Sequence, residues 1–406
     1  MRKVNYYLWL QQAIGAGASN TARIFETFSS AEEIFKATDV ERRISGVFTP
    51  EQIERLRATD IEDSYKIMGE CAAAGVDILT PLDDDYPENL LLIHDYPIIL
   101  YVKGSLDVLK RKVPIAIVGT RKPAPRSVAA AQELSKALTK CGFVVVSGGA
   151  LGIDTAAHTG AISVGEETIA VLGCGHSFKY LKENEPLRDV ISINGATISE
   201  YPPSTKSSPW NFPIRNRIIS GISVGTVVVE GKVKSGSLIT SKHATLQDRD
   251  VFAFPSRELG ATSNGCDSLI EDGAIPVTNS LDIIGSYLNV YGDQIKIDES
   301  VDLLFNLLEL NLSKDDFDNQ VENIVKTHED MEKERRERFK PKKRELNGNL
   351  SDEAKRVYAV FERDPISIKE LADSVIMPMS SLLGALTELE ISGYIELLPN
   401  TKYSVK

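Results

Sequence analysis

Residues 115–158 read IAIVGTRKPAPRSVAAAQELSKALTKCGFVVVSGGALGIDTAAH, and this stretch limits the fold more than any other. Two apolar runs, 115–118 and 143–146, break into the small residues Gly119-Thr120-Arg121 and Ser147-Gly148-Gly149. A helical pattern lies between them over 127–140, and another opens at Ile153. Apolar runs without alternation are strands buried on both faces, and their alternation with helices makes parallel βαβ units. Further strands are expected at 168–172, 196–200, 226–229, 251–254 and 274–277, with helices over 212–220 and 238–247. About seven strands of this kind make an α/β fold, an extended Rossmann-like, doubly wound and mainly parallel sheet. Open sheets of this class bind ligands at the carboxyl ends of their strands, here the small-residue breaks.

The chain has 406 residues, enough for several domains. Residues 1–65 have a helical pattern, a SAM-like or helix-hairpin-helix-like domain, with a glycine turn at Ile14-Gly15-Ala16-Gly17. Two readings of that turn stand: backbone N–H groups offered to a phosphate, or a tight turn in a small bundle. Residues 66–112 bridge to the central domain, 113–285, and include a strand within IHDYPIILYVKG. Residues 286–349 form a charged linker or insertion, with an apolar helix expected over 300–312 and a basic tract, KERRERFKPKKREL, that contains Pro341 and is followed by Asn347-Gly348-Asn349. That tract is read either as a solvated linker or as a nucleic-acid contact. Residues 350–406 make a winged helix: three helices, the second opened by the capping box Ser367-Ile368-Lys369-Glu370, then a hairpin around Pro399-Asn400. Its third helix carries Glu388 and Glu390 and no Lys or Arg, which weakens a DNA-reading role and sets a protein contact or a structural role beside it.

The formal net charge is −12, yet residues 113–285 hold 16 Lys plus Arg against 16 Asp plus Glu, so the acidity sits in the flanks. A phosphodiester chain needs a local basic groove, not a basic protein. No run is long and apolar enough for a membrane span, no secretion signal is visible, and the four scattered cysteines read as reduced thiols, so a cytoplasmic protein is expected.

No cofactor motif is complete. Arg121 stands where a dinucleotide binder needs its second glycine, Gly173-Cys174-Gly175 lacks the third, and the ATP-loop-like segment from Gly231 to Ser237 lacks the phosphate lysine. No cofactor and no metal site are therefore expected. Asp154 and His158, four apart on one helix face, are read as structural, since neither a nucleophile nor a second carboxylate accompanies them. In SPWNFPIRNRIISGIS, beginning at Ser208, Trp210 and Phe212 stand beside Arg215 and Arg217, a set suited to stacking on bases and pairing with phosphates.

These segments, with YLKEN from Tyr180, ISEYPP from Ile198, VVVEGKVKSGSLIT from Val227 and SNGCDSLIEDGA from Ser263, resemble the DprA/Smf family, the DNA-processing protein A group. The likeness is strong over about 110–285 and weaker in the flanks. It implies a non-enzymatic, cytosolic homodimer that binds and protects single-stranded DNA and loads RecA recombinase in natural transformation. It carries DNA binding to Arg121, Ser147, Gly148, Lys182, Phe212, Arg215 and Asn216, to which the residue reading adds Gly119 and Gly149 at the strand ends and Arg217 beside Arg215. The chain departs from the family at Leu151, where a basic residue is usual, and in the long charged insertion. Two other classes are weighed. A nucleotide phosphoribohydrolase-like enzyme needs a PGGxGT loop, whose Pro and GT pair are absent around Gly148. A protein-only scaffold would bind no oligonucleotide.

Overall fold

The computed structural model describes residues 2–259, 264–297, 313–338, 346, 350–361, 366–375, 377–397 and 402–405. Two compact units divide the chain, Met1–Val325 and Lys326–Lys406.

The first unit begins with six helices: α1 (Lys3–Ile14), α2 (Thr21–Thr27), α3 (Ala31–Lys36), α4 (Asp39–Ile44), α5 (Pro50–Ala58) and α6 (Asp63–Ala74). Side-chain caps on Ser30, Thr38 and Thr49 start three of them, the last with Pro50 at its first position. Their core joins Leu8, Trp9, Leu10, Ile24 and Ile34 to Tyr101 of the neighbouring sheet.

That sheet has nine strands in the order β1-β2-β6-β5-β4-β3-β7-β8-β9. They are β1 (Asp77–Leu79), β2 (Leu100–Gly104), β3 (Val113–Val118), β4 (Phe143–Ser147), β5 (Thr168–Leu172), β6 (Gly195–Ser199), β7 (Gly225–Val228), β8 (Asp250–Ala253) and β9 (Ile275–Pro276). From β6 to β9 every pairing is parallel, while β1 and β2 add an antiparallel edge. Every residue of β3, β4, β5 and β6 is buried, as their unbroken apolar runs require. The helices of this region are α7 (Glu88–Leu91), α8 (Pro125–Lys140), α9 (Ile153–Ser163), α10 (Glu185–Ile193), α11 (Asn211–Ile222), α12 (Gly236–Leu246), α13 (Ser256–Leu259), α14 (Asn264–Glu271) and α15 (Leu281–Tyr291). They cover both faces. Leu134 and Leu138 of α8 pack with Val145 on one side, and Ile218 and Ile222 of α11 pack with Val146 on the other. The seven strands expected in the central region are all present, and the bridge adds two more.

The charged tract differs from expectation. Residues Lys314–Arg338 form a 25-residue helix, α16, instead of an open linker. No Gly or Pro interrupts that span, and its second half, Glu329 to Arg338, is rich in the good helix formers Glu, Lys, Arg and Met. Gln320 accepts a hydrogen bond from Gln132 of α8, and Ile324 and Val325 pack against the Leu187 cluster of α10. The apolar helix expected over 300–312, Pro341 and the Asn347 cluster lie outside the described residues.

The second unit contains α17 (Asp352–Val360), α18 (Ile368–Ser374) and α19 (Met379–Ile391) with three strands, β10 (Ile366–Ser367), β11 (Ile395–Leu397) and β12 (Lys402–Val405), paired in the order β10-β12-β11. Ser367 and Glu370 form the expected capping box. Val357, Tyr358, Leu386, Leu389 and Tyr403 make its own core. Three helices and a three-stranded wing are the winged helix read from the sequence, with one strand more than the hairpin alone.

Candidate nucleic-acid interface

From β3 the chain runs outward through β4, β5 and β6, then returns to the other flank of β3 as β7. Loops leaving β3 on one side and β7 on the other must diverge, and the crevice between them is where such sheets hold ligands. A cleft of about 650 Å³ lies there. Its wall combines Gly119-Thr120-Arg121 after β3, Asp154 of α9, Tyr180, residues 207–209, Phe212, Arg215 and Asn216 of α11, and Ser235-Gly236-Ser237 at the start of α12.

Close backbone packing builds this wall. A Cβ at Gly119 would stand 2.5 Å from Ile153 Cγ1, and one at Gly152, where φ is +82°, would stand 2.4 Å from Thr120 O. The first turn of α9 therefore abuts the loop that carries Arg121, and the Ile153 N–H donates to Thr120 O at 3.2 Å. Glu230 holds the loop from behind: its carbonyl accepts from the Thr120 N–H and its carboxylate from the Ala124 N–H. Gly148 lets two side chains approach, since a Cβ there would stand 2.6 Å from Asp154 Oδ2 and 2.8 Å from Arg215 Nη2.

Phe212 sits among cations. The Arg121 guanidinium lies 5.3 Å from its ring centre, that of Arg215 lies 5.8 Å away, and the Tyr180 ring is tilted over it at 5.0 Å. Arg121 is exposed and in no ion pair among the described residues. Arg215 is buried: it donates to Gly148 O at 2.8 Å, to Val171 O and to Asn216 Oδ1. The single lining carboxylate, Asp154, is buried too. Burial raises its pKa, while Arg215, the Ala150 N–H, Ser147 and Arg121 oppose the rise. Lys122, Lys206, Lys232 and Lys234 adjoin the lining segments in the chain, all exposed and none in an ion pair among the described residues. The one lining charge that meets solvent is thus a cation, Arg121, although the domain as a whole is neutral.

Of the residues expected to bind, Gly119, Arg121, Phe212, Arg215 and Asn216 share the cleft, and five do not line it. Arg217 is the clearest correction. It is buried, gives Nη2 to both Glu200 oxygens at 2.8 Å, and lies 3.5 Å from Asp95, so no phosphate reaches it. Ser147 is buried as well and spends its hydroxyl on Ile117 O. Gly148 and Gly149 are buried beneath the wall; Gly148 gives its carbonyl to Arg215, and Gly149 has φ +60°. Lys182 is exposed on a short turn outside the lining. Within the cleft, Asn216 acts on the wall itself, tying α11 to the Gly236 carbonyl at 3.1 Å.

Sequence reading passed over Asn184, two positions beyond Lys182. Its Nδ2 donates to Gly149 O and Ala150 O, both at 3.1 Å, and so shapes the loop under the cleft. A short polar residue in a motif otherwise read for its lysine was the available signal. His158, expected to be structural, is buried; Thr168 gives its hydroxyl proton to Val145 O, so His158 donates from Nδ1 to Thr168 Oγ1. Burial, with Arg215 adding to it, holds its pKa down at about 3. The glycine turn is also settled against phosphate: the Gly17 N–H donates to Glu200 Oε1 at 3.0 Å.

Comparison with known proteins agrees with this architecture. The family described as DNA recombination-mediator protein A matches residues 77–288, and the DprA winged helix domain matches 341–400. The chain is 42% identical over 206 residues to the DNA processing protein DprA of Streptococcus pneumoniae, spanning 51% of this chain and 72% of that protein. It is 39% identical over 228 residues to the DNA processing protein DprA of Bacillus subtilis, spanning 55% and 77%. The crystal structure of DNA processing protein A from Streptococcus pneumoniae superposes with a TM-score of 0.60 at 35% identity, covering 69% of this chain and 97% of that one. No helix among the described residues is long and apolar enough to cross a membrane. A match over more than half of the chain, carried by the sheet that builds the cleft, places this protein in the DNA recombination-mediator protein A family.

Proposed function

We propose that the cleft binds single-stranded DNA and that the protein acts by binding, without catalysis. The observation that carries this reading is a concave, glycine-lined crevice whose one exposed lining charge, Arg121, is a cation in no ion pair among the described residues, whose one lining carboxylate is buried, and beside which exposed Lys122, Lys206, Lys232 and Lys234 follow or precede the lining segments in the chain. Phosphates meet Arg121 and the amides that open α12; bases turn toward the aromatic side chains. A duplex hides its base faces, so single strands are preferred. On this reading the relevant form is a cytoplasmic homodimer that protects incoming strands and hands them to RecA recombinase in transformation; membership of a recombination-mediator family supports that role.

The test is fluorescence anisotropy with a labelled poly-dT oligonucleotide and the matching duplex across a salt series. The single strand binds more tightly, and Arg121→Ala weakens binding and makes the log–log salt slope shallower by about 0.7, the value for one phosphate contact. A folded Arg121→Ala protein with wild-type affinity and slope would discard the site. A wild-type protein that binds neither DNA would leave the protein-only scaffold. Release of free base from nucleoside monophosphates would instead reveal an enzyme. For the RecA step, faster recombinase assembly on strands precoated with single-strand-binding protein is expected, and no acceleration contradicts it.

A further inference from the structure

Phe212 is poorly placed to hold a base. Two guanidiniums and the Tyr180 ring lie within 5.8 Å of its centre, and a Cβ at Gly173 would stand 2.7 Å from its Cδ1, so much of the half-buried ring is already engaged by the protein itself. A base that stacks on it must first displace one of these groups. Two positions earlier, Trp210 is 80% exposed. An indole left in solvent forgoes the largest apolar burial of any side chain, and a single exposed aromatic on a rigid mount points to a ligand that stacks.

The mount is rigid. Trp210 occupies the N-cap of α11 with φ −70° and ψ −25°. Next to it, the Asn211 N–H donates to Ser208 O at 3.0 Å and the Asn211 side chain donates to Gly173 O at 3.1 Å. In the chain Trp210 falls between Pro209 and Phe212, both of which line the cleft, and Lys206 is exposed four residues before it. An unencumbered aromatic plane beside unpaired cations is the arrangement that single-stranded nucleic acid uses, base on ring and phosphate on cation.

We propose that Trp210 is the base-stacking platform of this protein, and that Phe212 is a positioning residue that holds Arg121 over the cleft. The inference rests on the single-stranded DNA reading above and names where the strand continues once it leaves the cleft.

The chain supplies its own reporter. It has two tryptophans, and the other, Trp9, is 1% exposed and donates its indole N–H to Thr59 O. In the full-length protein, acrylamide therefore quenches Trp210 almost alone. Titration with poly-dT is expected to quench the tryptophan emission and to protect the remainder from acrylamide. Trp210→Ala abolishes that response and weakens poly-dT binding roughly 5- to 150-fold, the range for loss of one stacked base, while leaving the salt slope unchanged. Trp210→Phe restores most of the affinity. An oligonucleotide with abasic sites throughout binds wild type and Trp210→Ala alike. Poly-dT that binds wild type without altering acrylamide access, or that binds Trp210→Ala as tightly as wild type while Arg121→Ala still weakens it, overturns this inference and leaves the cleft reading standing. Absence of poly-dT binding by the wild type removes both.

Discussion

At the scale of the residue, two arginines, Arg217 on α11 and Arg121 after β3, illustrate how burial divides side chains of one charge. Arg217 answers Glu200 and Asp95 in the interior, whereas Arg121 across the cleft lies against the Phe212 ring and is in no ion pair among the described residues. Arg217→Ala strips the partner from two acids, of which Glu200 is buried, and is expected to cost on the order of 3–5 kcal/mol in urea unfolding. Arg121→Ala leaves stability within about 0.5 kcal/mol. A stable Arg217→Ala protein contradicts the ion-pair assignment. Acid provides a second measurement. Burial lowers the pKa of His158 to about 3 and of His176 to about 4, both below the unfolded value of about 6.5. Between those limits the unfolded chain takes up protons that the folded one refuses. Their contribution is thus complete above pH 6.5 and lost as pH falls toward the folded values. Each neutral imidazole costs about 2 kcal/mol of stability at pH 5 relative to pH 7. Denaturation at the two pH values checks this, and His176→Asn should shrink the difference by about that amount; an unchanged difference rejects the cause.

At the scale of the element, α11 serves two neighbours. Phe212, Arg215 and Asn216 form the cleft wall, while Ile214 and Arg217 meet the N-terminal helices through Gly17 and Glu200. Gly17 has φ +74°, and a Cβ there would lie 2.4 Å from Ile214 Cγ2. Gly17→Ala combines backbone strain with overlap and is expected to destabilise the docked bundle by about 1–3 kcal/mol, seen as lost amide protection in α1 and α2 during hydrogen exchange. Protection equal to wild type would show that the contact is dispensable. Elements of this kind were legible in unequal measure. The strands of the sheet were plain because their apolar runs are unbroken, and β1 was not, since three half-exposed residues carry no period. The fate of α11's charges was hidden altogether. Nothing adjacent to Arg217 in sequence distinguishes it from Arg121; Glu200, on another element, with Asp95 beside it, decides the matter. The Gly17 turn was equally ambiguous until its N–H found Glu200. Asn184 was hidden by the lysine beside it, since a side chain that bonds to carbonyls of a distant loop leaves no local pattern.

At the scale of the whole molecule, each unit has its own core, one around the nine-stranded sheet and one around Tyr358 and Leu386. Two cooperative transitions are therefore expected in calorimetry, and a single two-state transition would contradict independent cores. In the winged helix, α19 carries no Lys or Arg and exposes Met379, Leu383 and Ile391. A phosphate-reading role requires cations, so charge-neutral changes on that face should leave the salt slope of DNA binding untouched. The buried Glu200 has a wider consequence. One carboxylate accepts from the Gly17 N–H and from Arg217, while its backbone carbonyl accepts from Gln11. The N-terminal helices are consequently not an interchangeable cartridge. A chimaera that exchanges them for another bundle keeps the Arg217 pair but leaves the Glu200 carboxylate one donor short and its backbone carbonyl without the Gln11 amide, unless the newcomer brings an equivalent glycine turn and glutamine, so at this seam lineages must trade their parts as matched sets.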